Sequence, residues 1–301
     1  MSRRAWVLTV LAVVACALSV RFGARFPWSQ TMNTLVAADW VMLAGAGLIN
    51  IVSLMAKAGA WHVLLRRLAP VRASTAQVAT FIGAAVSSIS VSVSGEAARA
   101  QTAGMRDGVP FGLAVASLAA SRVVEGLGLF VFLALALMLV PPWPGARAAG
   151  LSLGAVAVLA ALCYPLMRRR SWHPRVRRLA GFEGGGLAGP VVLAGLSWVA
   201  QWITYHWSIV ATHASITPAV SLAALVLANV AGILRLTPGN IGVVQGSIIL
   251  GMGAFEIPAA NALAAGLALQ AVQVIPILVI GIAIVGIRGF RRLATRRMVT
   301  A

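Results

Sequence analysis

The chain has 301 residues, of which 60% are hydrophobic and only 10% are charged, which is too little polar surface for a protein dissolved in water. Its 24 basic residues greatly outnumber its 6 acidic ones, but the arginines form short clusters between apolar runs, a pattern that argues against nucleic-acid binding. The composition predicts an all-α, polytopic integral membrane helix bundle of about 6–8 transmembrane segments, without a soluble domain.

Membrane-spanning helices need about 20 apolar residues each, and several runs in the sequence approach that length. They lie near 5–20, 35–56, 76–94, 110–140, 148–167, 187–213, 218–236 and 241–287. The last run is too long for one helix, and Pro258 predicts its division into 241–255 and 258–287. Because arginines flank the first run on both sides, we expect a retained helix there instead of a cleaved signal peptide.

Clusters of basic residues predict which side of the membrane each loop occupies. They comprise Arg3 and Arg4; Lys57, Arg66, Arg67 and Arg72; Arg168, Arg169, Arg170, Arg175, Arg177 and Arg178; and Arg288, Arg291, Arg292, Arg296 and Arg297. The proline-rich loop at 141–144 has few charges and is expected on the opposite side. We therefore predict a multi-pass membrane protein with both termini in the cytoplasm.

In the first half of the chain, the number of apolar runs does not agree with the sides of the membrane predicted for the loops. Between Arg72 and the loop at 141–144 the chain must cross the membrane an odd number of times, yet two apolar runs lie there. The run at 76–94 leads into the polar residues 92–96 and then an amphipathic stretch. We expect this region to fold back as a re-entrant hairpin.

The second half has a similar interruption. Residues 218–255 are broken at Thr237-Pro238-Gly239-Asn240, which predicts either a second hairpin or two short crossings. In each half, about 1–147 and about 148–301, a broken helix pair thus precedes one unusually long helix. That order is the weak internal symmetry expected of an inverted-repeat transporter. We expect the two halves to form a single transmembrane domain.

Charged residues near or within the apolar runs are the first candidates for function. Gly95, Glu96 and Arg99 form one polar cluster, and Arg122 and Glu125 interrupt the next long run. Arg122 and Glu125 are three residues apart, so they share a helix face and can pair. An unpaired charge at mid-membrane costs about 3 kcal/mol, so we expect pairing. Two interpretations remain open: a structural ion pair, or a site where an arginine holds an anionic headgroup while a glutamate orients it or takes up a proton.

The second candidate region surrounds Pro238. Thr237-Pro238 is typical of a helix start, because a hydroxyl can cap free N–H groups and proline suits the first helical position. Such a helix N-terminus favours a phosphate group, and Arg235 would add a full positive charge. The alternative is a plain kink, with Arg235 extending toward the membrane interface.

The remaining polar residues indicate no further chemistry. Cys16 and Cys163 lie inside apolar runs without CxxC spacing, and His206 and His213 lack an acidic partner at metal-binding spacing. No Ser/His/Asp or Cys/His arrangement has credible spacing. We expect no metal site, no cofactor and no catalytic residue.

Three short motifs follow one another along the chain: Gly95-Glu96-x-x-Arg99, Arg122-x-x-Glu125 and Pro238-Gly239-Asn240-x-Gly242-Val243-x-Gln245. Together, on this hydropathy profile, they resemble the lysylphosphatidylglycerol synthase transmembrane family of flippase-like proteins. The resemblance implies an inner-membrane protein that binds or translocates lipids. We expect the structural breaks at Gly95, Pro238, Gly239 and Gly242.

The sequence departs from the family pattern at two places. Gln245 stands where the family usually has an acidic residue, and residues 92–94 stand where it usually has Pro-x-Arg. The cytoplasmic aminoacyl-transferase domain of bifunctional relatives has no counterpart in this sequence. We therefore expect no lysyl transfer by this chain alone.

The leading hypothesis is a flippase-like protein that translocates an anionic or glycosylated lipid, such as a phospholipid or a polyprenyl-phosphate. The residues expected to bind the headgroup are Glu96, Arg99, Arg122, Glu125, Arg235, Asn240 and Gln245. Expected partners are membrane lipids, with lipid-biosynthesis or glycosyltransferase proteins as further candidates. One alternative is a non-transporting accessory subunit of hopanoid or glycolipid assembly. A membrane-embedded headgroup enzyme ranks last, because no nucleophile or metal site is indicated.

Overall fold

Helices make up the part of the chain that the structure describes. The computed structural model describes residues 26–90, 94–139, 187–234 and 237–299, and these ranges contain no β-strand. Within them the α-helices are α1 Trp28–Val36, α2 Trp40–Arg66, α3 Ala73–Ile89, α4 Ser94–Asp107, α5 Phe111–Leu139, α6 Ala188–Val210, α7 Pro218–Ala231, α8 Val243–Gly253 and α9 Ala259–Val299. The predicted all-α helix bundle is confirmed. The expected helices at 5–20 and 148–167, and the boundary between the halves, lie outside the described residues.

Three of the described helices are long and apolar enough to cross a membrane. They are α2, α5 and the Ala259–Gly286 part of α9. At 1.5 Å per residue each is about 40 Å long, more than the roughly 30 Å of a bilayer's hydrocarbon core. The sequence predicts α5 and the start of α9 to within two residues, but α2 continues to Arg66, well past its expected end near 56.

Helices α3 and α4 form the first hairpin. With 17 and 14 residues they are about 26 and 21 Å long, short of a full crossing. The open ends of the hairpin meet, because the backbone N–H and Nε of Arg72 each donate to the Asp107 carboxylate at 2.9 Å. The chain therefore enters and leaves this hairpin on one side of the bundle, so the predicted fold-back of this region is confirmed, and the length of its helices agrees with a re-entrant position.

The Arg72–Asp107 contact is electrostatic as well as geometric. Burial alone would raise the pKa of Asp107, but the hydrogen bonds from the side chain and backbone of Arg72 outweigh that effect. The pKa of Asp107 consequently lies below its ordinary value, and the carboxylate is ionised at neutral pH. The Arg72–Asp107 contact, which we call the clasp, therefore joins the two open ends of the first hairpin by charge-assisted hydrogen bonds.

Glycine permits the close crossing of α3 and α4. A Cβ at Gly95 would overlap Ser87 Oγ and would lie 2.5 Å from the carbonyl oxygen of Gly83. A Cβ at Gly83 would overlap the side chain of Arg99. The two backbones approach to a distance that only glycine allows, and this approach makes room for Arg99 beside the hairpin.

Helices α7 and α8 form the second hairpin. They contain 14 and 11 residues, about 21 and 16 Å, so neither crosses a bilayer alone. Gly251 packs closely against Leu227, and near the open ends Ala219 and Phe255 both pack on Ala223. The two helices therefore pack side by side as a hairpin, and their shortness favours the re-entrant alternative over two short crossings.

The expected start of α8 at Thr237-Pro238 is wrong. The helix begins at Val243 with Gly242 as its N-cap. Gly239, Asn240 and Gly242 all have positive φ, at 58°, 55° and 85°, which a right-handed helix cannot contain. Thr237 Oγ1 accordingly donates to the carbonyl oxygen of Ile241 at 2.8 Å instead of capping N–H groups.

The two halves of the chain are arranged with opposite directions. Helices α2 and α6 pack antiparallel, since Ser53 Oγ donates to the Ser197 carbonyl at 2.8 Å while Thr204 Oγ1 donates to the Ala46 carbonyl at 3.4 Å. Each of these helices precedes a hairpin and a long helix, and the long helix of each half packs on the hairpin of the other. The described residues thus have the inverted-repeat arrangement suggested by the sequence.

Candidate functional site

Charged side chains from three helices meet inside the bundle. Arg122 Nη1 donates to Glu125 Oε2 at 2.8 Å within α5, as the spacing predicts. Arg122 Nη2 donates to Glu96 Oε1 at the start of α4, and Lys57 Nζ on α2 lies 3.0 Å from Glu125 Oε2. The two clusters predicted from the sequence are therefore joined by ion pairs that link Glu96, Arg122, Glu125 and Lys57. We call these four residues, together with Arg99, the charged cluster.

Lys57 is the member of this cluster that the sequence interpretation misplaced. It was grouped with Arg66, Arg67 and Arg72 at the basic end, which is wrong, because α2 places it about 14 Å along the helix axis from Arg66. Its position against Glu125 explains why α2 can continue past a lysine. Two signals could have identified it: Lys57 is the only lysine in the chain, and it lies inside an apolar helix.

Neighbouring side chains fix the position of Glu125. Ser121 Oγ donates to Glu125 Oε1 at 3.2 Å, while Trp198 Nε1 on α6 donates to the backbone carbonyl of Glu125 at 2.9 Å. The Glu125 side chain is only 12% exposed. Contacts from α2, α5 and α6 therefore converge on this one residue.

Arg99 lies one turn beyond Glu96 on α4. It is 5% exposed, and its guanidinium carbon is 4.5 Å from the centre of the Trp61 ring, within cation–π range. Trp61 is fully buried and its Nε1 donates to Ser117 Oγ at 2.9 Å. Arg99 thus places a third positive charge inside the bundle, beside an aromatic ring that is itself fixed by a hydrogen bond.

The charged cluster has an excess of positive charge. It combines three cationic residues, Lys57, Arg99 and Arg122, with two carboxylates, Glu96 and Glu125. In a medium of low dielectric constant an uncompensated charge attracts a counter-ion strongly, so the cluster favours one negative charge from outside the protein. Among the described residues no three His, Cys, Asp or Glu side chains are grouped so that they could hold a metal ion.

The second half repeats this arrangement with uncharged side chains. Gln245 is as far from the start of α8 as Glu96 is from the start of α4, and Gln270 and Gln273 are placed along α9 as Arg122 and Glu125 are along α5. Tyr205 on α6 likewise matches Lys57 on α2. The Tyr205 hydroxyl lies close enough to the Gln273 side chain to interact with it, at the place where Lys57 pairs with Glu125 in the first half. We call Tyr205, Gln245, Gln270 and Gln273 the neutral cluster.

The break between α7 and α8 brings the two hairpins together. A Cβ at Gly239 would lie 2.9 Å from the carbonyl oxygen of Ser88, near the end of α3. Asn240 Nδ2 donates to the carbonyl of Gly232 at 3.4 Å, which holds the break closed. Arg235 and the side chain of Pro238 lie outside the described residues. Headgroup binding by the predicted site residues stays a prediction.

Comparison with known proteins agrees with the motifs and the fold. A family model described as the lysylphosphatidylglycerol synthase transmembrane region matches residues 6–281. The chain belongs to this family. The resemblance drawn from the three motifs is therefore confirmed, and membership associates this membrane protein with lipid metabolism. A comparison with curated proteins gave no match.

Proposed function

We propose that the chain binds the headgroup of an anionic or glycosylated lipid and moves the lipid between the leaflets of a bacterial inner membrane. Its termini lie in the cytoplasm in this proposal, as the basic clusters favour. The observation that carries the proposal is the charged cluster. It has one more cation than it has carboxylates, and two of its members, Glu96 and Arg99, lie on the first hairpin. Charge and irregular backbone at membrane depth are tolerated only beside protein or water.

Arg122 is the residue expected to exchange partners during binding. It is shared between Glu96 and Glu125, and its side chain is 41% exposed, more than either carboxylate. A phosphate group approaching this exposed edge can take the place of the Glu125 carboxylate and form two parallel hydrogen bonds with the guanidinium. Glu125 then keeps Lys57 as its partner, so no buried carboxylate is left without a cation.

The hairpins supply the second part of the proposal. Each reaches only part of the way through the bilayer, and they meet where Gly239 contacts Ser88. A headgroup that passes from one half to the other would travel along polar residues while its acyl chains remain in the lipid. Inverted halves can open toward opposite leaflets by equivalent movements, as in other inverted-repeat transporters.

One observation favours the accessory-subunit alternative. The contacts Glu96–Arg122–Glu125–Lys57 largely neutralise one another, which is also what a static bundle requires. In that case the cluster stabilises the fold and moves no lipid. A headgroup enzyme remains the third candidate, and we assign no nucleophile to it among the described residues.

The test uses proteoliposomes that contain fluorescent phospholipids or polyprenyl-phosphate lipids labelled on the tail. Quenching from outside measures how fast the labelled lipid changes leaflet. We expect Arg122→Gln to slow the movement at least about tenfold, because a charge-assisted bidentate contact of 1.5–3 kcal/mol is lost. Arg72→Gln is the matched control, since it breaks an ion pair at the mouth of the hairpin and leaves the charged cluster intact.

The outcomes separate the candidate functions. Movement that Arg122→Gln reduces and Arg72→Gln retains, with both variants folded, supports translocation. Absence of movement for every lipid tested would overturn it in favour of the accessory subunit. A chemically altered headgroup recovered from the vesicles would identify an enzyme instead.

A further inference from the structure

The second half contains a buried donor and a buried acceptor in place of the ion pair of the first half. Gln245 and Gln270 hold the positions on α8 and α9 that Glu96 and Arg122 hold on α4 and α5. Glu96 and Arg122 bond to each other. Among the described residues, by contrast, Gln245 Nε2 and Gln270 Oε1 are buried without a hydrogen-bond partner.

In each amide, the hydrogen bond made by one atom fixes the identity of the atom that has no partner. Gln245 Oε1 accepts the backbone N–H of Gly242 at 2.7 Å, so the remaining atom of that amide must be the NH₂ donor. Gln270 Nε2 donates to the carbonyl oxygen of Gly239 at 2.8 Å, so its remaining atom must be the carbonyl acceptor. The choice between nitrogen and oxygen is therefore fixed by backbone partners of known polarity.

The two amides lie on the same part of the fold. Gln245, which is 5% exposed, packs against Gly266, one turn before Gln270 on α9. Both side chains bond to the short segment between Gly239 and Gly242. A buried amide group without a partner costs about 1–3 kcal/mol, so a pair of them on one segment indicates that a polar ligand binds there.

We propose that Gln245 and Gln270 bind an uncharged hydroxyl group of the lipid headgroup, from a glycerol or a sugar. This inference rests on the proposed function and adds to it a second contact point, separate from the charged cluster. A hydroxyl both donates and accepts, so it satisfies Gln245 Nε2 and Gln270 Oε1 together. A phosphate oxygen only accepts and would face the Gln270 oxygen, while an ammonium only donates and would face the Gln245 NH₂.

The headgroup implied by the two clusters carries both a negative charge and a hydroxyl. The charged cluster requires the charge and the neutral cluster requires the hydroxyl. The two hairpins, which carry Glu96 and Gln245, touch at Gly239 and Ser88. A phosphodiester lipid with a polyol headgroup meets both conditions. A lipid with the same charge and no hydroxyl meets only the first.

Native mass spectrometry of the full chain in detergent tests this with an equimolar mixture of three lipids. Phosphatidylglycerol supplies glycerol hydroxyls, phosphatidylinositol supplies ring hydroxyls like those of a sugar, and phosphatidylethanol has the same single charge without a headgroup hydroxyl. We expect the better of the two hydroxylated lipids to bind about tenfold more than phosphatidylethanol, and its identity distinguishes a glycerol from a ring polyol. Gln245→Met and Gln270→Met should each reduce that ratio to about one. The control is Gln101→Met, at an exposed glutamine of α4, which should leave it unchanged.

The ratio of hydroxylated lipid to phosphatidylethanol is measured within a single variant, so it does not depend on how much of that variant folds. Equal binding of all three lipids that Arg122→Gln abolishes would overturn the hydroxyl site and leave the proposed function standing. Binding of none of them would count against both. A preference that survives both methionine variants would mean that Gln245 and Gln270 hold only a buried water molecule.

Discussion

Glu125 is the residue on which the charged cluster depends. It accepts from Lys57 and Arg122 and from Ser121, and Trp198 fixes its backbone. Because Lys57 and Arg122 both serve this carboxylate, Arg122 can leave it for another anion without exposing an unpaired charge. The shared carboxylate therefore combines stability with the freedom to exchange partners.

Lys57→Met tests that role. We expect a loss of about 2 kcal/mol in unfolding free energy, below the usual cost of breaking a buried pair because Lys57 keeps 29% exposure. The substitution also removes the excess positive charge, so lipid binding should fall as well. Thermal unfolding in detergent, followed by tryptophan fluorescence, measures the first effect, and lipid binding measures the second.

The double variant Lys57→Met/Glu125→Gln provides the control. It removes one cation and one carboxylate, so the excess positive charge of the cluster is restored. We expect its stability and lipid binding to exceed those of Lys57→Met alone. If the double variant is no better in either measurement, Lys57 does not act through Glu125.

Sequence reasoning found most of the charged cluster but not its connections. The spacing of Arg122 and Glu125 predicts their pairing, because helix geometry places them on one face. No local rule predicts that Glu96 reaches Arg122 or that Lys57 reaches Glu125, since these contacts join different helices. Lys57 was assigned to the wrong region because a single lysine near other basic residues is indistinguishable, in sequence, from part of their cluster.

At the level of elements, the first hairpin depends on its glycine contact. We expect Gly95→Ala to destabilise the fold by roughly 2 kcal/mol or more, because the added Cβ meets the Gly83 carbonyl as well as Ser87. Adding Ser87→Ala should not rescue it, since the backbone contact remains. Thermal unfolding compares these variants with Gly112→Ala, where a Cβ has open space. Rescue by Ser87→Ala would show that the side chain alone sets the limit.

The clasp at the mouth of the same hairpin predicts a pH dependence. The folded-state pKa of Asp107 is depressed, so its contribution to stability is present above the ordinary aspartate pKa of about 3.9 and is lost as the pH falls through the folded value. The melting temperature of the wild type should therefore exceed that of Asp107→Asn at pH 7, and the two should converge below about pH 4. Arg72→Gln should follow the Asp107→Asn curve, and a constant difference at all pH values would contradict the clasp.

The elements that the sequence predicts best are the continuous apolar helices. The run at 110–140 became α5, Phe111–Leu139, because nothing within it breaks the helix. The start of α8 was missed because Thr237-Pro238 has good helix-start chemistry, while three positive φ angles follow it. Gly239, Asn240 and Gly242 can adopt such angles without being required to, so the tertiary contact with Ser88 decides the conformation.

On the scale of the whole molecule, the two halves have the same architecture and different electrostatics. One half holds ion pairs and the other holds amides and a phenol at matching positions. Inverted repeats with identical sites would treat both membrane leaflets alike. The difference between the charged and neutral clusters therefore makes the two halves unequal, although their backbones are arranged alike. A headgroup moving between the clusters would exchange ionic contacts for hydrogen bonds.

The antiparallel pairing of α2 and α6 underlies this arrangement and can be tested directly. Ser53 Oγ and Ser197 Oγ are 3.0 Å apart, so cysteines at both positions are close enough to form a disulfide. With Cys16 and Cys163 replaced by alanine, we expect Ser53→Cys/Ser197→Cys to cross-link on mild oxidation in membranes, seen as a mobility shift that reduction reverses. Ser53→Cys/Ser208→Cys is the control and should not react, because Ser208 lies about 16 Å farther along α6. Cross-linking of the control in place of the test pair would mean that the two halves are not inverted about this helix pair.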